Sequence, residues 1–121
     1  KNNSNHVKLL KESNYKYSEK CEVILLDDLF DELSIKYKNI FLKIDAQGFE
    51  KKIIDGGPKV LQQCKGVLCE VNNEILYEND IHWKEMIKLF EAQNFKLHSI
   101  LDAYRDLETG KTIQFDVIFL R

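Results

Sequence analysis

A chain of 121 residues makes one domain at most, and 44% hydrophobic with 31% charged residues is the balance of a folded soluble unit. The net charge of -2, with lysines scattered along the chain, gives no basic surface for nucleic acid. No apolar run approaches the roughly 20 residues of a membrane span, and the polar start Lys1-Asn2-Asn3-Ser4-Asn5 is no signal peptide, so a cytoplasmic location is expected.

The stretch to about Lys20, residues 1–20, reads as a connecting region, with Val7 to Leu10 as a short strand. Cys21 to Leu26 has the character of a strand, and Asp27-Asp28 then supplies an N-cap for a short helix through Leu29, Phe30 and Leu33, ending near Ser34. Ile40 to Ile44 is a short apolar run, as expected of a parallel strand buried on both faces. The following helix spaces Phe49, Ile53 and Ile54 on one side and stops at Gly56-Gly57 with Pro58 just beyond. A helical turn with Val60, Leu61 and Cys64 facing inward precedes a second buried strand, Gly66 to Val71.

Asn72 to Asn79 reads as a loop, and Asp80 is placed to cap a helix whose Trp83, Met86, Ile87 and Phe90 recur at i, i+3, i+4 and i+7. Asn94 closes that helix, and Leu97 to Leu101 forms a third strand. A polar loop from Asp102 to Thr112, turning at Gly110, leads to Ile113 to Leu120, where Ile113, Phe115, Val117 and Phe119 share one face. The pattern is an α/β fold: parallel strands with crossover helices packed on the sheet, then a C-terminal antiparallel pair. Cys21, Cys64 and Cys69 are odd in number and lack metal-site spacing, so buried free thiols are expected. His82 and His98 likewise read as surface or packing residues.

The most informative stretch is Leu42-Lys43-Ile44-Asp45-Ala46-Gln47-Gly48-Phe49-Glu50, an apolar strand that delivers a carboxylate to its C-terminal end and turns into a helix. In α/β sheets, ligands bind in the crevice outside the carboxyl ends of the strands. With Leu26-Asp27-Asp28-Leu29 upstream and Glu70 ending the next strand, the stretch resembles the FkbM family of S-adenosylmethionine-dependent methyltransferases, from about Val23 to Arg121. The resemblance implies a partial Rossmann-like methyltransferase sheet over residues 21–121. The strands at Ile40, Gly66, Leu97 and Ile113 would match the fourth to seventh of a seven-stranded sheet, and the first three would lie upstream. A start at Lys1 without a methionine fits a piece of a longer protein.

Methyl transfer to a hydroxyl requires positioning of the reactants and removal of a proton from a weakly acidic alcohol. Asp45 and Glu70, at neighbouring strand ends, are the candidate catalytic residues. The structural alternatives are that Asp45 caps the following helix and that Glu70 bonds backbone amides or a lysine. Gln47, Gly48 and Glu50 are candidates for binding the acceptor, a small molecule or glycan. Gly48 serves packing equally well, and Glu50 in a first helical turn also suits a solvated surface position.

The resemblance implies a glycine-rich turn and an acidic residue gripping S-adenosylmethionine. Glycines occur only at Gly48, Gly56, Gly57, Gly66 and Gly110, so nothing before Asp45 forms a G-x-G loop and the cofactor site is expected to lie largely outside this chain. The strand at Ile40 would then expose an apolar edge, to be covered by residues 1–25, by an upstream segment or by a homo-oligomer. Two rival functions remain: a non-catalytic α/β assembly module, and a phosphotransfer or hydrolase fold in which Asp45 and Glu70 hold Mg²⁺.

Overall fold

The computed structural model describes residues 17–33 and 36–121. The expected strand at Val7 to Leu10 lies outside the described residues, while the first helix ends at Glu32, close to the end expected near Ser34. Residues 17–25 are extended, exposed and unpaired in any strand, so the strand expected at Cys21 to Leu26 does not form; Leu26 instead opens a helix. That helix, α1, spans Leu26–Glu32. Strand β1, Ile40–Ile44, follows, then α2, Glu50–Asp55, and α3, Pro58–Gln63. Strand β2, Cys64–Asn72, helix α4, Trp83–Ala92, and strands β3, Lys96–Arg105, and β4, Thr112–Leu120, complete the described chain.

The four strands form one mixed sheet in the order β1-β2-β4-β3. Strands β1 and β2 pair in parallel, while β4 runs against both β2 and β3. β4 therefore leaves its hairpin partner on one side and reaches the middle of the sheet on the other. Its alternation is as the sequence predicts. Ile113, Val117 and Phe119 are buried and Phe115 is half-buried, and Phe115, Val117 and Phe119 share a core with Val67, Cys69 and Val71 of β2. Ile54, Val60, Leu61, Met86 and Phe90 from the helices close over that face. Phe90 stacks on Phe119 with ring centroids 4.2 Å apart and meets Phe95 edge-on.

The opposite face is more open, which corrects the expectation that β1 and β2 are buried on both sides. On β1, Phe41 and Lys43 are exposed while only Ile44 is fully buried, and on β2 Leu68 and Glu70 are half-buried. β1 is also the edge of the described sheet.

Local chemistry departs from the sequence reading at the caps. Asp27 does not cap its own helix, whose N-cap Leu25 makes no side-chain bond. Its buried carboxylate instead accepts from the Val60 N–H at 2.9 Å and the Lys59 N–H at 3.2 Å, closing the N-terminus of α3 from 32 and 33 residues away. Pro58 occupies the first turn of that helix, where its missing N–H leaves no donor unmet. Asp80 does not cap α4 either: His82 does, its Nδ1 accepting from the Lys84 N–H. Asp80 is held by the Asn72 side-chain amide and the Leu76 N–H. Gly56 ends α2 and Asn94, at φ 63°, follows α4, as expected. The third strand is longer than expected, so the hairpin loop shrinks to the residues between Arg105 and Thr112. Cys64 and Cys69 are buried free thiols, whereas Cys21 is exposed.

Candidate site at the carboxyl ends of β1 and β2

β1 ends at Ile44 opposite Cys69, which brings the next residue, Asp45, alongside Glu70. The chain then turns through Gln47 at φ 48° and Gly48 at φ 98° before α2 begins. At Gly48 the left-handed backbone is joined by a close approach: a Cβ there would lie 2.5 Å from the Cβ of Tyr77. Glycine thus lets the loop after β1 press against the loop after β2.

Glu50 holds that turn together. It is 2% exposed, and its carboxylate accepts from the Ala46 N–H at 2.8 Å and the Gly48 N–H at 2.9 Å. The solvated-surface reading of Glu50 is therefore incorrect; both oxygens are engaged with the backbone of the motif. Charge-assisted bonds of this kind are stronger than neutral ones, and here they fix a loop containing two positive-φ residues. Asp45 has no role as a cap, since the N-cap of α2 is Phe49 and makes no side-chain bond. Its carboxylate is 40% exposed and pairs with Lys43 at 3.2 Å. Gln47 is exposed on the turn.

Glu70 stands two residues before the end of β2 and accepts from the Gln114 side-chain amide. Its carboxyl is raised from the usual 4.5 to about 7, first by burial, then by the negative charge of Asp45, with Asp116 and Glu50 adding to the effect and the Gln114 bond opposing it. A half-buried carboxyl that titrates near neutrality is suited to proton transfer. Asn72, two residues on, is 2% exposed; its Nδ2 donates to Asp80 at 2.8 Å, and no described residue donates to its Oδ1. Cys69, just before Glu70 on the core face, is held protonated by burial and by the surrounding carboxylates.

The structure thus brings Asp45, Gln47, Gly48, Glu50 and Glu70 to one edge of the sheet. Asn72, Gln114 and Asp116 join them without having been picked out from the sequence, and so does Asp80, which the sequence offered only as a helix cap. The alternation of β4 implied that Gln114 and Asp116 share a face, but the pattern carried no sign that this strand lies beside β2. Among the described residues no group of three or more His, Cys, Asp or Glu is placed to hold a metal ion, so the Mg²⁺ expectation gains no ligand set.

Carboxylates gathered at the C-terminal edge of parallel strands, over a tight strand-to-helix turn, belong to a mixed α/β protein whose sheet edge is where such folds place their ligands. The family model for the methyltransferase FkbM domain matches residues 1–97, four-fifths of the chain. The chain belongs to the FkbM methyltransferase family. No curated protein and no solved structure matches it.

Methyltransferases of this kind generally use S-adenosylmethionine, and the described residues do not fit that group. A nucleotide cradle needs glycines whose missing side chains leave room for the ligand. Here the space at Gly48 is taken by Tyr77, at Gly56 by Leu25, at Gly57 by Leu26, and at Gly66 by Phe41 and Leu120. Gly110 has open space but sits in the β3–β4 hairpin turn. Among the described residues no helix is long and apolar enough to cross a membrane.

Proposed function

We propose that the carboxyl ends of β1 and β2 form the acceptor side of a methyl-transfer site that acts on a hydroxyl of a small molecule, sugar or glycan. The observation that carries this reading is the register of β1 and β2, which sets Glu70 beside Asp45 at the carboxyl ends of two parallel strands, where burial and the Asp45 charge raise the Glu70 carboxyl to about 7. Near neutral pH such a group is divided between its two forms, so its carboxylate accepts the proton that a hydroxyl gives up. Asp45, more exposed, is assigned to orienting the acceptor. Glu50 and Gly48 act by holding the turn, and Gln47 projects from it as an acceptor contact.

The sheet ends in an antiparallel strand after its parallel ones, as Rossmann-like methyltransferases do, and this supports placing residues 21–121 in the C-terminal part of such a domain. The cofactor is then gripped by residues other than those described. On this reading the edge of β1, with Phe41 beside it, is covered by a further strand from an upstream segment or from a second copy.

A panel of mono- and oligosaccharides titrated into the isotopically labelled chain tests the proposal. It predicts shifts confined to the signals of residues 45–50, 70 and 72; absence of any such response, or responses clustered elsewhere, overturns it. The lack of a cofactor cradle also favours a second reading, a non-catalytic α/β assembly module. A tight homodimer that binds no saccharide would establish that alternative.

A further inference from the structure

We propose that Gln114 and Asp116 of β4 are positioning residues for Glu70: Gln114 fixes the orientation of its carboxyl through Oε1, and Asp116, directly opposite across the strand pair, sets a second carboxylate against it. The inference deepens the proton-acceptor role of Glu70 and rests on it. Neither residue belongs to the motif at the β1 turn, and both lie beyond residue 97, where the family match ends. They reach the site because β4 is inserted beside β2.

The geometry follows from register. Asp116 is directly opposite Glu70 across the β2–β4 pair, and Gln114 is opposite Asn72, which makes it the diagonal neighbour of Glu70. Directly opposed residues share a face at about 5 Å, and long side chains span the diagonal. The Gln114 amide does span it, donating to Glu70 Oε1 across 44 residues of sequence. One carboxyl oxygen is thereby held in place.

The charged groups facing Glu70 come from several elements. Asp45 lies beyond the end of β1, paired with Lys43; Glu50 stands in the first turn of α2; Asp116 is on β4. Burial is the largest influence raising Glu70, Asp45 comes next, and Asp116 and Glu50 push the same way, while the bond from Gln114 pulls in the opposite direction. Gln114 and Asp116 thus have effects of opposite sign, which a general loosening of the sheet would not reproduce.

The test is a pH titration of the whole chain carrying ¹³C-labelled glutamate carboxyls, with the Glu70 signal assigned by its loss in Glu70→Gln. Asp116→Asn is expected to lower the Glu70 midpoint by about half a pH unit, the effect of one charge ~5 Å away in a water-like medium. Gln114→Met, of similar length but without a donor, is expected to raise it. Asp116→Glu should restore a high midpoint. An unchanged midpoint in Asp116→Asn, or movement of both variants in the same direction, overturns the proposal; if Gln114→Met loses its dispersed amide spectrum, the Asn and Glu variants at position 116 decide alone. No substrate is present in this titration. Opposite shifts without any saccharide response at residues 45–50, 70 and 72 would keep the positioning roles and remove the acceptor-site reading.

Discussion

Replacing Glu70 with glutamine should stabilise the fold above neutral pH and leave it unchanged in acid. A carboxyl that releases its proton at 4.5 when unfolded and at about 7 when folded makes the folded chain bind more protons between those values. Stability must therefore fall as pH rises through that window. Below about 4.5 both states hold the proton and Glu70 carries no cost; above about 7 the whole cost is present. At ~1.4 kcal/mol for each tenfold change in proton affinity, the full difference is about 3 kcal/mol. Glu70 is only half-buried, and solvent screening reduces this to about 1–2 kcal/mol. Glutamine is nearly isosteric and still offers Oε1 to the Gln114 amide, so the comparison isolates the charge. Urea unfolding of both proteins at several pH values reads the difference as a shift in midpoint at constant slope. The expected result is a gap near zero at pH 4 that opens through pH 6 and levels above pH 8, with Glu70→Gln the more stable. A gap independent of pH, or a Glu70→Gln protein less stable at pH 8, would refute the linkage.

The turn that follows β1 is expected to be the most sensitive segment of the motif. Gly48→Ala combines a strained φ of 98° with a Cβ 2.5 Å from that of Tyr77 and should cost about 2–3 kcal/mol in chemical denaturation. Glu50→Ala leaves the Ala46 and Gly48 N–H groups without their acceptor, for a loss of about 3 kcal/mol, and hydrogen exchange should accelerate at those two amides first. Asp27→Ala removes the cap of α3 rather than that of α1; a loss of about 1–2 kcal/mol with faster exchange at Lys59 and Val60 is expected, whereas faster exchange confined to α1 would contradict the assignment.

Much of the fold was legible because it rests on periodicity. The alternation of Ile113, Val117 and Phe119, the spacing of Met86 and Phe90, and the stop at Gly56-Gly57 each report a local preference that the packing does not override. The extended Cys21–Leu25 segment was misread because apolar content alone does not supply a pairing partner, and this stretch finds none among the described residues. Caps were misassigned for a related reason. Asp27 and Asp80 have the right chemistry, but each carboxylate satisfies donors that tertiary contact brings to it, from α3 in one case and from Asn72 and Leu76 in the other. The site followed the same division. Asp45, Gly48 and Glu50 were visible in nine contiguous residues. Gln114 and Asp116 were hidden because strand order is not written in local pattern: β4 had to insert between β3 and β2 before those side chains met Glu70.

The central claim is that the end of β2 presents a carboxyl poised to exchange a proton near neutral pH, and the ¹³C titration of Glu70 in the unmodified chain tests it most directly. The account predicts a midpoint at about 7. A midpoint near the ordinary 4.5 would contradict it and leave Glu70 as a permanently charged residue of the sheet surface.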